Sequence, residues 1–321
     1  MKSWSKEIHH HIQQWADRLG NLGWWPKYIY HFTDVQNAAQ ILTDGVLYCR
    51  SEAENRGRMV VDNASPEIVA QTRPEHTNFV RLYFRPRTPT QYRNEGIRPR
   101  TALELGSHCP VPIYFCFDAF ELLTQDRVEF SNGNMASARV EHSGARDFFF
   151  NIPFQYVFHN GAFPPDERDE IVFRRNAEVL VPGQLKLTPC LRFVACRSEA
   201  ERQTLLHLLP LKVTEKWKDI IRLGEQGFFE RRWTHVEEVV VFNREITFRF
   251  NPNTQTPGPF DVKVEYSEQG ISSPKIWQKT IERLNGSLRI RPPNATWGEI
   301  RLYLDNALAF SDNVFFEDIP F

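Results

Sequence analysis

The chain has 321 residues, enough for about two domains at roughly 150 residues each, and its 39 basic against 40 acidic side chains leave a formal charge of -1. With 41% hydrophobic and 25% charged residues it lies in the globular range, which excludes a disordered or fibrous chain, while near-neutrality excludes a histone-like basic coat. No apolar run approaches the ~20 residues of a membrane span, and MKSWSKEIHHH lacks the apolar core of a signal peptide. A cytoplasmic protein with no membrane partner is expected. Cys49, Cys109, Cys116, Cys190 and Cys196 are odd in number and show no CxxC spacing, so free buried thiols are expected, with neither a disulfide framework nor a metal site.

In chain order, Trp4, Ile8, Ile12, Trp15 and Leu19 recur at helical steps and Gly20 follows as a C-terminal cap, which predicts an amphipathic N-terminal helix packed on the domain. Tyr28 to Phe32 reads as a strand, Asp34 as the cap of a helix over Val35 to Leu42, and Gly45 as its stop. Residues 49–77 are polar and aperiodic and read as a long loop or lid. Strands are predicted at Phe79 to Phe84, Val111 to Phe117, Glu178 to Val181 and Leu191 to Ala195. Ser198 and Glu201 then form a capping box for a helix to about Leu209. From about Val236 the pattern alternates, as in Ile246, Phe248, Phe250 and in Phe260, Val262, Val264, Tyr266, with the turn clusters NPNTQTPGP and RPPNATWG between strands. This predicts a small β-sandwich. Residues 275–285 fit a helix through Ile276, Trp277, Ile281 and Leu284, or a hairpin at Asn285-Gly286.

Lysine is absent from Tyr28 to Gln184, so every cation there is arginine. Residues 81–100 hold Arg81, Arg85, Arg87, Arg93, Arg98 and Arg100 against the single acid Glu95. Guanidinium forks bind phosphate bidentately and stack on bases. Interleaved with Tyr83, Phe84 and Tyr92, they read as a platform for single-stranded nucleic acid, the alternative being an ordinary solvated face. Pro86 and Pro89 stiffen the backbone around Arg87. In IYHFTDVQN, His31 and Thr33 share one face of a strand and Asn37 lies one turn into the next helix, a set able to hold a ribose and an amide or simply to be hydrogen-bonded structure. In RRNAEVLVP the carboxylate of Glu178 stands in an otherwise apolar strand, where it must be paired or functional, with Arg174 and Arg175 the nearest structural partners in sequence. The motifs GxGxxG, GxxxxGK[ST], GxSxG and HExxH are absent.

Taken together and in order, YHFTDVQN, FVRLYFRPRTPTQY, SNGNMASA and RRNAEVLVP resemble the DarT-like ADP-ribosyltransferases, toxins that modify nucleic-acid bases. The resemblance covers residues 28–200 and implies a compact mixed α+β fold that clamps NAD, the donor substrate, without metal. It implies catalytic roles for Arg87 and Glu178. His31, Thr33 and Asn37, with Gly45 and Tyr83, are the implied NAD-binding set, and Asn132 to Ser137 matches the element before the substrate-facing loop. The nucleic-acid contacts expected from it are Arg85, Tyr92, Arg93, Asn132, Asn134, Arg174 and Arg175. The implied partners are single-stranded DNA or RNA and a neutralising antitoxin, with a chaperone as a further candidate for the C-terminal region, in a toxin-antitoxin or anti-phage setting. The chain departs from the family pattern in its N-terminal helix, in the long segment before Phe79, in Arg85 and Thr88 beside the key arginine, and in the β-rich extension. The expected organisation is a lead-in over 1–27, a transferase domain over 28–210, a connector over 211–235 and a β-sandwich-like accessory domain over 236–321. Two other readings stay open: transfer of ADP-ribose to protein, and an inactive nucleic-acid-binding module.

Overall fold

The structure is a computed structural model that describes residues 1–63, 70, 72–103, 108–268, 273–292 and 297–316. Its contacts divide into two compact units, the first comprising Met1–Phe32, Gln40–Tyr92 and Tyr114–Ala195, the second Thr33–Ala39, Arg93–Ile113 and Cys196–Phe321.

The first unit opens with helix α1 (Ser5–Arg18), which Gly20 ends at a φ of 53° that a side chain would strain. Its apolar stripe packs on the unit itself: Trp4 lies 5.6 Å from Phe149, His11 4.4 Å from Phe154 and Trp15 5.4 Å from Phe158, centroid to centroid. Such aromatic pairs add stabilisation beyond the area they bury. The sheet behind them runs in the order β9 (Leu191–Cys196), β4 (Pro112–Asp118), β1 (Tyr28–Asp34), β3 (Phe79–Tyr83), β7 (Glu178–Pro182), β5 (Glu129–Ser131), β6 (His142–Ser143). A small ribbon joins β2 (Val46–Tyr48) to β8 (Gln184–Lys186). Helix α2 (Val35–Asp44) follows β1 and stops at Gly45, whose φ is 66°. Inner strand β4 carries no charge before its terminal Asp118 and is almost wholly buried, as a strand covered on both faces must be. The pairing that matters for the site is antiparallel β3 with β7, in the register Tyr83 opposite Glu178 and Arg81 opposite Leu180. Opposed residues share a face, so Arg81, Tyr83, Glu178 and Leu180 point the same way. Of the stretch expected as a loop or lid, residues 64–69 and 71 lie outside the described residues. The described part begins with a helix, Arg50–Asn55, and ends in a 3-10 turn, Pro74–Asn78.

The second unit carries the helices Glu199–Leu208 and Leu211–Trp217, the short strand β10 (Ile221–Leu223) and two antiparallel sheets. The three-stranded sheet orders β11 (Val236–Phe242), β12 (Glu245–Phe250) and β15 (Ser287–Ile290). The four-stranded one orders β14 (Lys275–Ile281), β13 (Phe260–Glu268), β16 (Trp297–Leu304) and β17 (Ala307–Phe315). Phe248 and Phe250 of one sheet share a single buried cluster with Phe260, Val264, Leu302 and Phe310 of the other, the sandwich that the alternation predicted. Asn243-Arg244 and Asp305-Asn306 close hairpins with φ positive at both central positions, the turn that matches strand twist. Residues 275–281 are strand, paired along β13, so the helical alternative fails there. Pairing with a neighbouring strand decides such short mixed runs. Of the turn cluster RPPNATWG, residues 293–296 lie outside the described residues.

Ser198 caps its helix as expected, its Oγ accepting from Glu201 N at 3.3 Å. The carboxylate of Glu201 does not complete the capping box, because it turns to Arg197, which sits between Glu201 and Glu95 with all three side chains fully buried. Glu95 also accepts from the backbone N–H groups of Glu230 and Arg231 at 2.8 Å each, and Arg197 donates to Pro110 O at 3.2 Å. The buried cation therefore has a partner for each of its faces, as burial in low dielectric demands.

Candidate active site

Glu178 begins β7 and is fully buried. Arg81, across the strand pair, grips it with a two-pronged fork: Nε donates to Oε2 at 2.5 Å and Nη2 to Oε1 at 2.6 Å. Met135 N donates to Oε1 at 3.2 Å, and Glu178's own N–H donates to Ser131 Oγ at 2.8 Å. The carboxylate's partner is thus Arg81, and the expectation that Arg174 or Arg175 would serve is corrected. Those two end the preceding helix, Arg168–Arg175, where Arg174 pairs with Glu170 and donates to Asn132 O at 2.8 Å while Arg175 donates to Gly161 O at 3.1 Å. Proximity along the chain lost to proximity across the sheet.

Burial pulls the Arg81 pKa down, but the Glu178 charge outweighs it and the net shift is upward, so the guanidinium stays charged. Burial, then the same carboxylate, push the neighbouring Tyr83 hydroxyl up, keeping it protonated. His31 donates from Nδ1 to Arg81 O at 3.1 Å, because a carbonyl can only accept. Desolvation holds its pKa down to about 4 against that bond, which leaves a neutral ring with a lone pair on Nε2. Thr33 and Asn37 are both buried and satisfy each other, Asn37 Nδ2 donating to Thr33 Oγ1 at 3.2 Å. Gly45 shapes the end of α2, and its carbonyl accepts from Leu187 N at 3.0 Å.

Arg87 adopts a φ of 55°, a conformation an arginine holds only when its surroundings impose it. Its N–H donates at 2.7 Å to Oε1 of the buried Gln91, the same oxygen that accepts from Tyr114 OH. Thr88 Oγ1 accepts from Gln91 N at 3.2 Å at the start of the following helix, Pro89–Asn94. The segment after β5 is built by its asparagines. Asn132 exchanges bonds with Glu141 (Oδ1 from Glu141 N, 3.1 Å), and Asn134 Oδ1 accepts from Ala136 N at 3.0 Å. A Cβ on Gly133 would stand 2.2 Å from the Phe173 ring, so only glycine lets the segment lie against that side chain. Met135 O accepts from Nδ1 of the buried His76 at 3.2 Å, which fixes the peptide whose next-door N–H holds Glu178.

The arginine platform does not exist as one surface. Arg85 is 2% exposed, donates to Pro86 O at 3.0 Å and to Val157 O at 3.1 Å, and stacks 4.3 Å over Trp25. Its expected place among the nucleic-acid contacts is corrected, since a guanidinium buried to 2% exposure and bonded to carbonyl groups is closed to phosphate from solvent. Arg98 is likewise buried, donating to Arg93 O at 2.6 Å. Tyr92, 46% exposed, and Arg93 do lie at the surface. Local charge counting missed this because it treats every guanidinium as solvated. Arg81 and His76, by contrast, were overlooked as site residues. The signal available for Arg81 was its alternation with buried Val80 and Leu82 on a strand destined to lie beside β7.

Among the described residues no group of three or more His, Cys, Asp or Glu could hold a metal ion, and no helix is long and apolar enough to cross a membrane. All five cysteines are free and buried. Three histidines, His11, His31 and His108, are held down to about 4, first by desolvation. A depressed folded pKa means that the unfolded chain takes up protons first, so this stability is whole above about pH 6.5 and is lost as pH falls towards 4. Asp34, raised by burial to about 6, acts oppositely and returns part of it below pH 6. We expect urea midpoints to drop between pH 7.5 and pH 5 by an amount equivalent to about 1–2 kcal/mol per histidine, less about 1 kcal/mol for Asp34. A midpoint that rises on acidification would refute this.

The mixed sheet thus holds a buried glutamate, Glu178, on β7 against Arg81 of the adjacent β3. The sequence model of the family described as ssDNA thymidine ADP-ribosyltransferase, DarT, matches residues 30–223, and the chain belongs to this family. It is an NAD-dependent ADP-ribosyltransferase. Solved structures of Thermus sp. 2.9 DarT are similar to it. The complex with ADP-ribosylated ssDNA has a TM-score of 0.49 at 16% identity, covering 64% of this chain and 96% of that one. The carba-NAD+ complex gives 0.47 at 17%, and the NAD+ complex 0.47 at 16%, each covering 64% and 98%. No curated protein matches the chain.

Proposed function

We propose that the chain transfers ADP-ribose from NAD to a base of single-stranded DNA, and that it acts as a toxin restrained by an antitoxin. The observation that carries the reading is the carboxylate of Glu178, buried and held in one orientation inside the span matched by the family. Of the roughly four lone-pair sites of a carboxylate, three are taken, two by Arg81 and one by Met135 N. The remaining acceptor site lies on Oε2, which we assign to a ribose hydroxyl of the donor. As nicotinamide departs, positive charge builds on the ribose ring, and an ionised carboxylate fixed beside it lowers that barrier, as in glycoside hydrolysis.

Arg87, locked by its backbone, takes the role of anchoring the diphosphate and polarising the incoming base. His31 through its Nε2 lone pair, with Thr33, Asn37, Gly45 and Tyr83, holds the donor, while Tyr92, Arg93, Asn132 and Asn134 are the proposed nucleic-acid side. Residues 28–210 form the transferase on this reading, with 211–235 as connector and 236–321 as an accessory module for a partner. The family's description and the exposed Tyr92 and Arg93 support a nucleic-acid acceptor. Incubation with radiolabelled NAD and separate single-stranded DNA, RNA and protein pools tests it. Label should enter the DNA pool. Label confined to RNA or to protein overturns the choice of acceptor, and label in none overturns the transferase reading itself.

A further inference from the structure

The side chain of Glu178 is 1% exposed, whereas that of Arg81 is 31% exposed, so the guanidinium stands on the solvent side of the carboxylate. Arg81 spends Nε and Nη2 on Glu178, and among the described hydrogen bonds none engages its other, Nη1 edge. Anything that approaches the carboxylate from solvent meets that edge first, and an anion meets it with attraction. NAD carries a diphosphate, the anion a guanidinium fork fits best. From this arrangement we propose that Arg81 is a further catalytic residue that hands Glu178 to the donor. Its open edge takes an oxygen of the NAD diphosphate, its Nε bond to Oε2 loosens, and Oε2, which already has an unfilled acceptor site, takes a ribose hydroxyl. No covalent bond changes in this step.

The inference rests on the reading of Glu178 as the catalytic carboxylate. The charged and titratable groups facing Glu178 are Arg81 and Tyr83 on β3, while β5 contributes the Ser131 hydroxyl and the segment after it the Met135 amide.

The test compares Arg81→Lys, Arg81→Gln and Glu178→Gln in the full chain, reading NAD affinity by calorimetry and the pH profile of NAD cleavage. Arg81→Lys keeps the charge but loses the fork, so NAD should bind about tenfold more weakly with the acid limb of the profile unmoved. Arg81→Gln should show the same weakening and, with the counter-charge beside Glu178 removed, a pH profile of cleavage that differs from wild type. Wild-type affinity and an unmoved profile in both Arg81 variants overturn the inference, as does faster cleavage, which would make Arg81 a mere plug. Should Arg81→Gln fail to fold, the affinity of Arg81→Lys alone decides. Full activity in Glu178→Gln overturns the reading beneath it. An inactive Glu178→Gln beside a wild-type Arg81→Lys overturns the Arg81 inference alone.

Discussion

Glu178→Gln is expected to lower ADP-ribose transfer by about a thousandfold or more while the protein stays folded. On the proposed mechanism the loss follows from removing the charge that would face the developing positive ribose, an effect of roughly 4 kcal/mol for a preorganised electrostatic partner in a water-poor site. The fold should survive because glutamine still accepts from Arg81 and from Met135 N, and because Arg81, at 31% exposure, can draw on solvent for what it loses. Glutamine is the sharper substitution than alanine, which would also strip the Met135 N–H of its acceptor inside the sheet edge. Transfer measured with labelled NAD alongside a thermal melt separates the two effects. Retained transfer in a folded variant removes Glu178 from the chemistry.

The second large effect is expected in the other unit and on stability. Arg197→Ala leaves Glu95 and Glu201 buried with no cation between them, each fully shielded from water. Breaking a buried ion network by deleting one partner costs about 3–5 kcal/mol, because the stranded charges must be neutralised or hydrated. Burial already pushes the Glu201 carboxyl up against the opposing pull of Arg197, so removing Arg197 should push it further up. Urea unfolding at pH 7.5 checks this, and a loss below about 1 kcal/mol would refute it. Replacing Arg197, Glu95 and Glu201 together by apolar residues of similar size should cost less than the single change, since no charge is then left unmatched. The network earns interest for a further reason: Glu95 receives the Glu230 and Arg231 amides, so the same triad anchors the chain segment that leads into β11.

How far the site was legible in sequence depended on the kind of signal. Glu178 stood out because a carboxylate inside an apolar strand is costly wherever that strand goes. The Arg87 motif stood out through its flanking prolines, and its backbone does prove to be constrained, with Gln91 supplying the constraint that no spacing rule reveals. The arginine cluster misled, because Arg81, Arg85, Arg93 and Arg98, close in sequence, go respectively to an ion pair, a buried carbonyl nest, the surface and a buried contact with Arg93 O. Likewise Arg174 and Arg175 are nearest to Glu178 along the chain yet engage other partners.

What the sequence by itself determined was the set of local patterns: the stripe of α1, the cap at Ser198, the alternation of the sandwich strands and the isolation of Glu178 among apolar neighbours. Each depends on residues within a few positions of one another, where helical or strand period, cap and turn chemistry act directly. Only the tertiary structure decided which groups meet. The register of β3 against β7 put Arg81 on the face of Glu178, and the burial of Arg85 and Arg98 turned part of an apparent basic patch into internal framework. Pairing across strands and desolvation are set by residues far apart in the chain. A count of charges along the sequence carries no information about either, which is why a net charge of -1 said nothing about the site.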